Sequence, residues 1–309
     1  MDIRNVSFVG CGALGILFAS QILEHLAPEQ VQFIAEPERV ERYRRTEFSA
    51  NGEKQDFRFV SSDAPGQPAD LLIFTVKAYG LDGAIEAARN YVGPDTIILS
   101  FLNGISSEDI LAQAFSPRQV IPCMVSGLDA TRTDYAVQFS TSGCISFGPG
   151  ADTDPRDLER LVRFFESVRL ACKCEQDITR TLWWKFMLNV GTNQTSALLR
   201  APYGLFQSSP DAREVAAMAM REVCALAARR GIDLGQRDID EIFEVIDALN
   251  PAGMTSMCQD IVAGRTTEVD IFAGMVMKLG READVAVPVN EFLFHAIKAL
   301  EEKQRVATR

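Results

Sequence analysis

Short apolar runs alternate with amphipathic stretches along the first half of the chain. Segments 6–9, 31–35, 71–76, 97–101 and 120–124 are rich in Val, Ile, Leu and Phe and are bounded by polar or glycine-containing stretches. Such runs predict short buried strands, and the helical periodicity between several of them predicts covering helices. Strands that are apolar throughout imply a parallel sheet covered on both faces. From Tyr135 to Phe147 the pattern turns to alternation, and segments 137–139 and 144–147 predict a hairpin that extends the sheet. Gly148-Pro149-Gly150 and the polar stretch 152–157 mark a loop, after which the pattern predicts a helix over 155–168 and a short strand over 170–174. Beyond Asp177 only helical periodicity remains, in segments 178–199, 211–230, 236–248, 255–263, 266–281 and 289–304.

Composition narrows the class. A chain of 309 residues, 47% hydrophobic, is longer than one average domain and holds a sizeable core. Its net charge of -11 repels a phosphate backbone and argues against a nucleic-acid partner, so a small-molecule site is expected. The N-terminal residues lack a basic region followed by a long apolar stretch, and no apolar run approaches the length of a membrane span. The seven cysteines are scattered, and only Cys172 and Cys174 lie close together, without the two-residue spacer of zinc or redox pairs. Reduced thiols, a cytoplasmic location and no metal are the corresponding expectations.

The strongest motif is Gly10-Cys11-Gly12-Ala13-Leu14-Gly15, directly after the first predicted strand and opening an apolar helix. In this context the first glycine permits a tight turn, the second lets backbone approach a pyrophosphate, and the third lets helix and strand pack closely. The helix N-terminus then offers free N–H groups and the positive end of its dipole to phosphates. The first 176 residues are therefore read as a Rossmann-type dinucleotide-binding domain with a doubly wound sheet, and residues 177–309 as an all-helical domain. At the end of the second strand stands Glu36, a carboxylate suited to a free ribose 2′-hydroxyl, which favours NAD over NADP. Arg39, Arg42, Arg44 and Arg45 follow, either as a loop that reaches a 2′-phosphate or as a solvated basic face. Lys77 and Asn103 follow the third and fourth strands, at the carboxyl ends where open sheets bind ligands. Asn103-Gly104 reads equally as an ordinary turn.

In the helical half, Lys185, Asn189 and Asn193 recur every fourth position within a stretch rich in Trp, Phe, Met, Leu and Val. That spacing keeps them on one helix face, and buried polar groups there need partners, which points to a polar site rather than a solvated stripe. Ser256 and Asp260 share a second face, and Glu268 and Asp270 lie close together; by spacing alone these read as caps and first-turn acids.

Taken together, the blocks 10–15, 76–79, 103–104, 182–193, 255–260 and 267–270 resemble, in order and spacing over essentially the whole chain, the ketopantoate reductases (2-dehydropantoate 2-reductases). The resemblance implies a helical domain of the 6-phosphogluconate dehydrogenase C-terminal type, an active site in the cleft between the two domains, and reduction of 2-dehydropantoate to (R)-pantoate by a nicotinamide hydride on the route to pantothenate and coenzyme A. It further implies NADP(H) as cofactor, Lys185 as general acid toward the developing alkoxide, and Glu268 as the acidic partner of substrate and lysine. Asn103, Asn189, Asn193 and Ser256 would hold substrate or orient Lys185. The chain departs from the family pattern at Glu36, where members carry an arginine for the NADP phosphate, and at Tyr203 and Gly253, where members carry asparagines. A reductase of another branched 2-keto acid fits the same catalytic residues, and a nucleotide-binding sensor without catalysis is the reading from a different class. The apolar helical faces predict a homodimer.

Overall fold

In the computed structural model, which describes residues 2–307, the run Val6–Val9 forms strand β1, fully buried at the middle of a parallel sheet. The glycine turn leads into α1 (Ala13–Leu23), and the chain returns through β2 (Val31–Ala35) and α2 (Pro37–Tyr43). Three short strands follow: β3 (Phe48–Ala50), β4 (Glu53–Gln55) and β5 (Arg58–Ser61). Next come β6 (Leu71–Phe74), α3 (Leu81–Ala88), β7 (Ile97–Ser100) and α4 (Ser107–Ala114). The sheet order β5-β2-β1-β6-β7 is parallel throughout, with Val6 opposite Val31 on one side and Leu71 on the other. Connections leave β1 toward β2 in one direction and reach β6 in the other, so the switch point lies beyond the carboxyl ends of β1 and β6. Successive strand residues feed opposite cores: Phe8, Leu71 and Ile73 pack with α1, whereas Val9, Leu72 and Phe74 pack under α3 and α4. Two buried faces explain why most positions of these strands are apolar; Ser7 and Gln32, the polar exceptions on β1 and β2, bond each other at 3.1 Å.

The expected strand over 120–124 divides at Pro122. Val120 bridges Ile98 in parallel, but proline has no N–H for a central ladder, and β8 (Cys123–Leu128) leaves for another sheet. The expected hairpin also resolves differently. After β9 (Thr131–Thr133), β10 (Ala136–Gln138) joins the sheet β4-β3-β10-β9, while β11 (Ser142–Phe147) pairs with β8. Asp129 separates the two strands: its carboxylate accepts the backbone N–H groups of Ser140 and Thr141 at 2.9 and 3.0 Å and the Ser140 hydroxyl, turning the chain away after β10. Strand β12 (Cys172–Cys174), reached through α5 (Pro155–Ser167), completes the sheet β12-β11-β8. The polar strands β4 and β9 carry no apolar signal and went unanticipated.

By contact the chain divides into the units Met1–Ile178 and Thr179–Arg309. The second is helical. Helix α6 (Ile178–Leu188) runs into a π-helical turn, Asn189–Asn193, and then α7 (Gln194–Leu199), where sequence spacing predicts one continuous helix. Helices α8 (Tyr203–Ser208), α9 (Pro210–Arg229) and α10 (Gln236–Asp247) follow. Helix α9 starts on the Ser209 cap, whose hydroxyl accepts from Ala212 N at 3.2 Å, with Pro210 at its first position. Its buried stripe, Ala212, Ala216, Met220, Val223 and Ala227, keeps helical spacing. After α11 (Ser256–Val262), the helix expected over 266–281 is a single 3₁₀ turn at Val269–Ile271 and then α12 (Ala273–Ala283). Helix α13 (Pro288–Ala307) closes the unit. Thr267 explains the late start of α12: its N–H and hydroxyl are both drawn to Glu301 Oε1, at 2.7 Å each, instead of entering a helix.

Candidate active site

In the first unit, the three glycines of the turn are glycines for different reasons. Gly10 has φ +107°, and a Cβ there would meet Thr75 and Val76 at 2.8 Å, so conformation and close approach both demand it. At Gly15 a Cβ would stand 2.2 Å from the Gly10 carbonyl oxygen, which reflects helix packed against strand. Gly12 is free of both constraints. Its φ is −92°, and the nearest atoms to an added Cβ are Thr75 O at 3.6 Å and Arg132 Nη1 at 3.7 Å, ordinary contact distances. The protein alone has room for a side chain at Gly12, and the space a Cβ would take is what a pyrophosphate against the backbone requires. Gly12 also caps α1 without any side-chain bond, leaving the helix N–H groups to a ligand. The residues present therefore fit a dinucleotide.

Thr75, which the sequence reading passed over, locks the turn: its buried hydroxyl donates to Gly10 O at 2.6 Å. A threonine inside an otherwise apolar run was the available signal. Cys11 is buried beneath the turn, and that burial pushes its thiol far above the usual range, so it packs rather than reacts. Ala13 and Leu14 are half-buried in the first turn of α1 and lie against the core. Glu36 caps α2 at the exposed end of β2 and pairs with Arg39 at 3.4 Å. Of the following arginines, Arg44 pairs with Glu41 and Arg42 lies over the Tyr43 ring.

Lys77 is half-buried three residues beyond β6, at the cap of a 3₁₀ turn, and Asn103 is half-buried three residues beyond β7, before Gly104 at φ +92°. Strand pairing thus brings the glycine turn, Glu36, Lys77 and Asn103 to one edge of one sheet. The loop that carries Asn103 is pinned at its base, since Ser100 Oγ donates to Ser107 Oγ at 2.8 Å and Ser107 Oγ donates to the Glu108 carboxylate at 2.9 Å. Burial raises the Glu108 carboxyl to about 7, against the opposing pull of the backbone N–H groups and the Ser107 hydroxyl that bond it.

In the second unit, Lys185 is half-buried near the end of α6, and Asn189 and Asn193 are each 6% exposed. The π turn has a packing cause. A Cβ at Gly191 would lie 2.4 Å from Met220 Cε and 2.9 Å from Ala216 O, so α9 presses directly on this backbone. Widening a helix frees carbonyls of the regular ladder, and side chains take them up: Thr192 Oγ1 donates to Leu188 O and Gln194 Nε2 to Val190 O, both at 2.7 Å. Asn193 Nδ2 donates to Asn189 Oδ1 at 3.1 Å, which orients the Asn189 amide. Asn189 Nδ2 is buried and has no hydrogen-bond partner in the protein, a donor that calls for a guest.

Ser256 is the exposed first residue of α11; the neighbouring Thr255 caps that helix and is bonded to Ser196 of α7. Asp260 is buried and takes Arg265 at 2.8 Å. Glu268 is 6% exposed, at the cap of the 3₁₀ turn after the Thr267–Glu301 contact, whereas Asp270 faces outward to Lys298 at 2.6 Å. The two acids that spacing treats alike are thus separated by burial. Tyr203 and Gly253 lie together: Tyr203 N donates to Gly253 O at 2.9 Å, and a Cβ at Gly253 would stand 3.1 Å from the Tyr203 ring. The buried Gln194 and Asn290 and the half-buried Glu222 form a network that sequence reasoning missed. Gln194 bonds Asn290 and the Ala273 N–H, and Asn290 bonds Glu222, so α7, α9, α12 and α13 are tied by polar contacts inside an apolar unit.

A doubly wound parallel sheet with its glycine turn at the switch point, continued in the same chain by a helical unit, is a Rossmann-type dinucleotide-binding architecture. The chain belongs to the ketopantoate reductase family: residues 6–152 match the family described as Ketopantoate reductase PanE/ApbA, and residues 177–301 match its C-terminal counterpart. A 2-dehydropantoate 2-reductase of Pyrobaculum aerophilum is 28% identical over 295 residues, covering 95% of this chain and 96% of that protein. A 2-dehydropantoate 2-reductase from Geobacter metallireducens superposes with a TM-score of 0.82 at 25% identity, covering 96% of this chain and 99% of that one. The fold is equally that of D-mandelate dehydrogenase, solved with NADH and anilino(oxo)acetate, at a TM-score of 0.86 and 21% identity over 97% of this chain and 99% of that one. No helix among the described residues is long and apolar enough to cross a membrane.

Proposed function

We propose that the protein reduces the ketone of a branched 2-keto acid, 2-dehydropantoate, to the (R)-2-hydroxy acid with NADPH or NADH, as a step toward pantothenate and coenzyme A. The observation that carries the proposal is the buried Asn189 Nδ2, without a hydrogen-bond partner in the protein, on the same helical segment as Lys185. In a chain of this family, it is a donor held ready for a polar substrate. When bound, the nicotinamide supplies the hydride. Gly12 and the start of α1 hold the dinucleotide phosphates, and Lys77 and Asn103 border it at the ends of β6 and β7. Lys185 stabilises the charge that develops on the carbonyl oxygen and donates a proton to that atom. Asn189 donates to the substrate, Asn193 keeps its amide turned for that task, and Ser256 offers a hydroxyl to the carboxylate. Glu268, buried and acidic, is the acidic partner of substrate and lysine. The assembly is a homodimer in this reading, located in the cytoplasm.

A second substrate reading has a specific observation behind it. Tyr203 and Gly253 stand where family members carry asparagines and pack on each other as a ring against a glycine. That pair removes amide donors and puts an aromatic ring in their place, which suits a 2-keto acid with an alkyl or aryl side chain. Oxidation of NADH and NADPH followed by absorbance with 2-dehydropantoate and with alkyl and aryl 2-keto acids tests both. Preference for 2-dehydropantoate supports the first reading, preference for an apolar keto acid the second. Absence of turnover with every keto acid refutes both and leaves a sensor.

A further inference from the structure

The glycine turn has a cationic neighbour from outside the parallel sheet. Arg132 lies on β9, in the sheet β4-β3-β10-β9, yet its Nη1 comes within 3.7 Å of where a Gly12 side chain would begin. The side chain is held in place from two directions. Its Nε donates to Asp134 O at 2.5 Å, and its guanidinium lies 5.3 Å from the centre of the Tyr135 ring. Tyr135 is braced in turn by Phe48 and Tyr43, with ring centres 5.0 and 5.9 Å away. Anchored through Nε and by its face, the guanidinium keeps its Nη atoms for the space over Gly12. Charge reaches the turn as well, because Arg132 is the one group that opposes the burial-driven rise of the Cys11 thiol.

Taking the glycine turn as a dinucleotide site, we infer that Arg132 is a cofactor-binding residue that clamps the pyrophosphate against Gly12 and the start of α1. Three features meet in one space: a glycine that the protein's own packing does not require, a helix N-terminus without a side-chain cap, and a pre-oriented guanidinium. A planar fork of N–H donors matches phosphate oxygens. Pyrophosphate is the moiety assigned because Gly12, the position where backbone meets that group, is what Arg132 faces. The ribose end of the site lies at Glu36, after β2, where Arg39 and Arg42 are the nearby cations.

The test is the dissociation constants of NADH, NADPH, ADP and adenosine for the full chain and for Arg132→Ala and Arg132→Lys. Arg132→Ala is expected to weaken NADH, NADPH and ADP by the same factor, roughly tenfold, to leave adenosine unchanged, and to leave the melting temperature unchanged. Arg132→Lys, which keeps the charge without the fork, is expected to fall between. Unchanged affinity for NADH and ADP overturns the assignment, as does a loss confined to NADPH, which would place the arginine at a 2′-phosphate. If the unaltered chain binds none of the dinucleotides or ADP, the dinucleotide reading fails, and this inference with it.

Discussion

The ligand sites proposed for the two units are built by opposite means. The first works with backbone: a glycine turn, an uncapped helix start and strand ends brought level by parallel pairing, with few side chains committed. In the second the work falls to side chains, a half-buried lysine and two buried asparagines around a π turn, held by the Thr192, Gln194 and Ser196 bonds that repair the widened helix. Backbone recognition suits a ligand part common to many proteins, the dinucleotide phosphates, because every residue carries the same N–H. Side-chain recognition suits the substrate and the proton, where chemistry must be specific.

The widest separation of the two is expected at Lys185. Lys185→Ala should lower turnover roughly a hundredfold or more while leaving NADPH and NADH dissociation constants unchanged; equal losses in both would show that the lysine serves the cofactor instead. Within the first unit, the glycines sharpen the comparison between folding and binding. Gly15→Ala drives a Cβ into the Gly10 carbonyl and should destabilise the protein by about 3 kcal/mol, visible as a drop of several degrees in Tm. Gly12→Ala meets nothing closer than 3.6 Å and should keep Tm while weakening the dinucleotide roughly tenfold.

A smaller effect is expected from Glu108. Folded, the carboxyl holds its proton to about pH 7, whereas an ordinary carboxyl at 4.5 releases it earlier. The folded state therefore binds more protons between these values, and stability falls as pH rises from about 4.5 to 7 and levels off above. Glu108→Gln should flatten that decline and raise stability at pH 8 by roughly 1–3 kcal/mol; urea unfolding at pH 5 and pH 8 measures it, and a parallel decline in the variant would assign the slope elsewhere. The smallest effect belongs to Glu36. It is exposed and already paired with Arg39, so Glu36→Gln should shift the NADPH to NADH affinity ratio toward NADPH by only a few-fold. A shift of a hundredfold would show a buried contact with the ribose.

Four strands of the central sheet were legible in the sequence because they are buried on both faces, so Val6–Val9 or Leu71–Phe74 need no partner to be recognised, whereas the half-exposed edge strand β5 was not. The glycine motif was legible because turn, strand and helix start are adjacent in sequence. What depends on a distant partner was not. Pro122 and Asp129 redirected β8 and β10 into separate sheets, and the pressure of Met220 and Ala216 on Gly191 converted regular helix into a π turn. Glu268 and Asp270 look alike by spacing, but the first is buried next to Thr267, which Glu301 holds, and the second is exposed and paired with Lys298. By itself the sequence determined the class of fold and the glycine turn after β1, since both are written in local periodicity and local backbone requirements. Tertiary structure alone decided which polar atoms are buried and unpaired, as at Asn189, and which charges stand over the turn, as at Arg132. Burial and long-range approach are properties of packed elements, and no single segment encodes them.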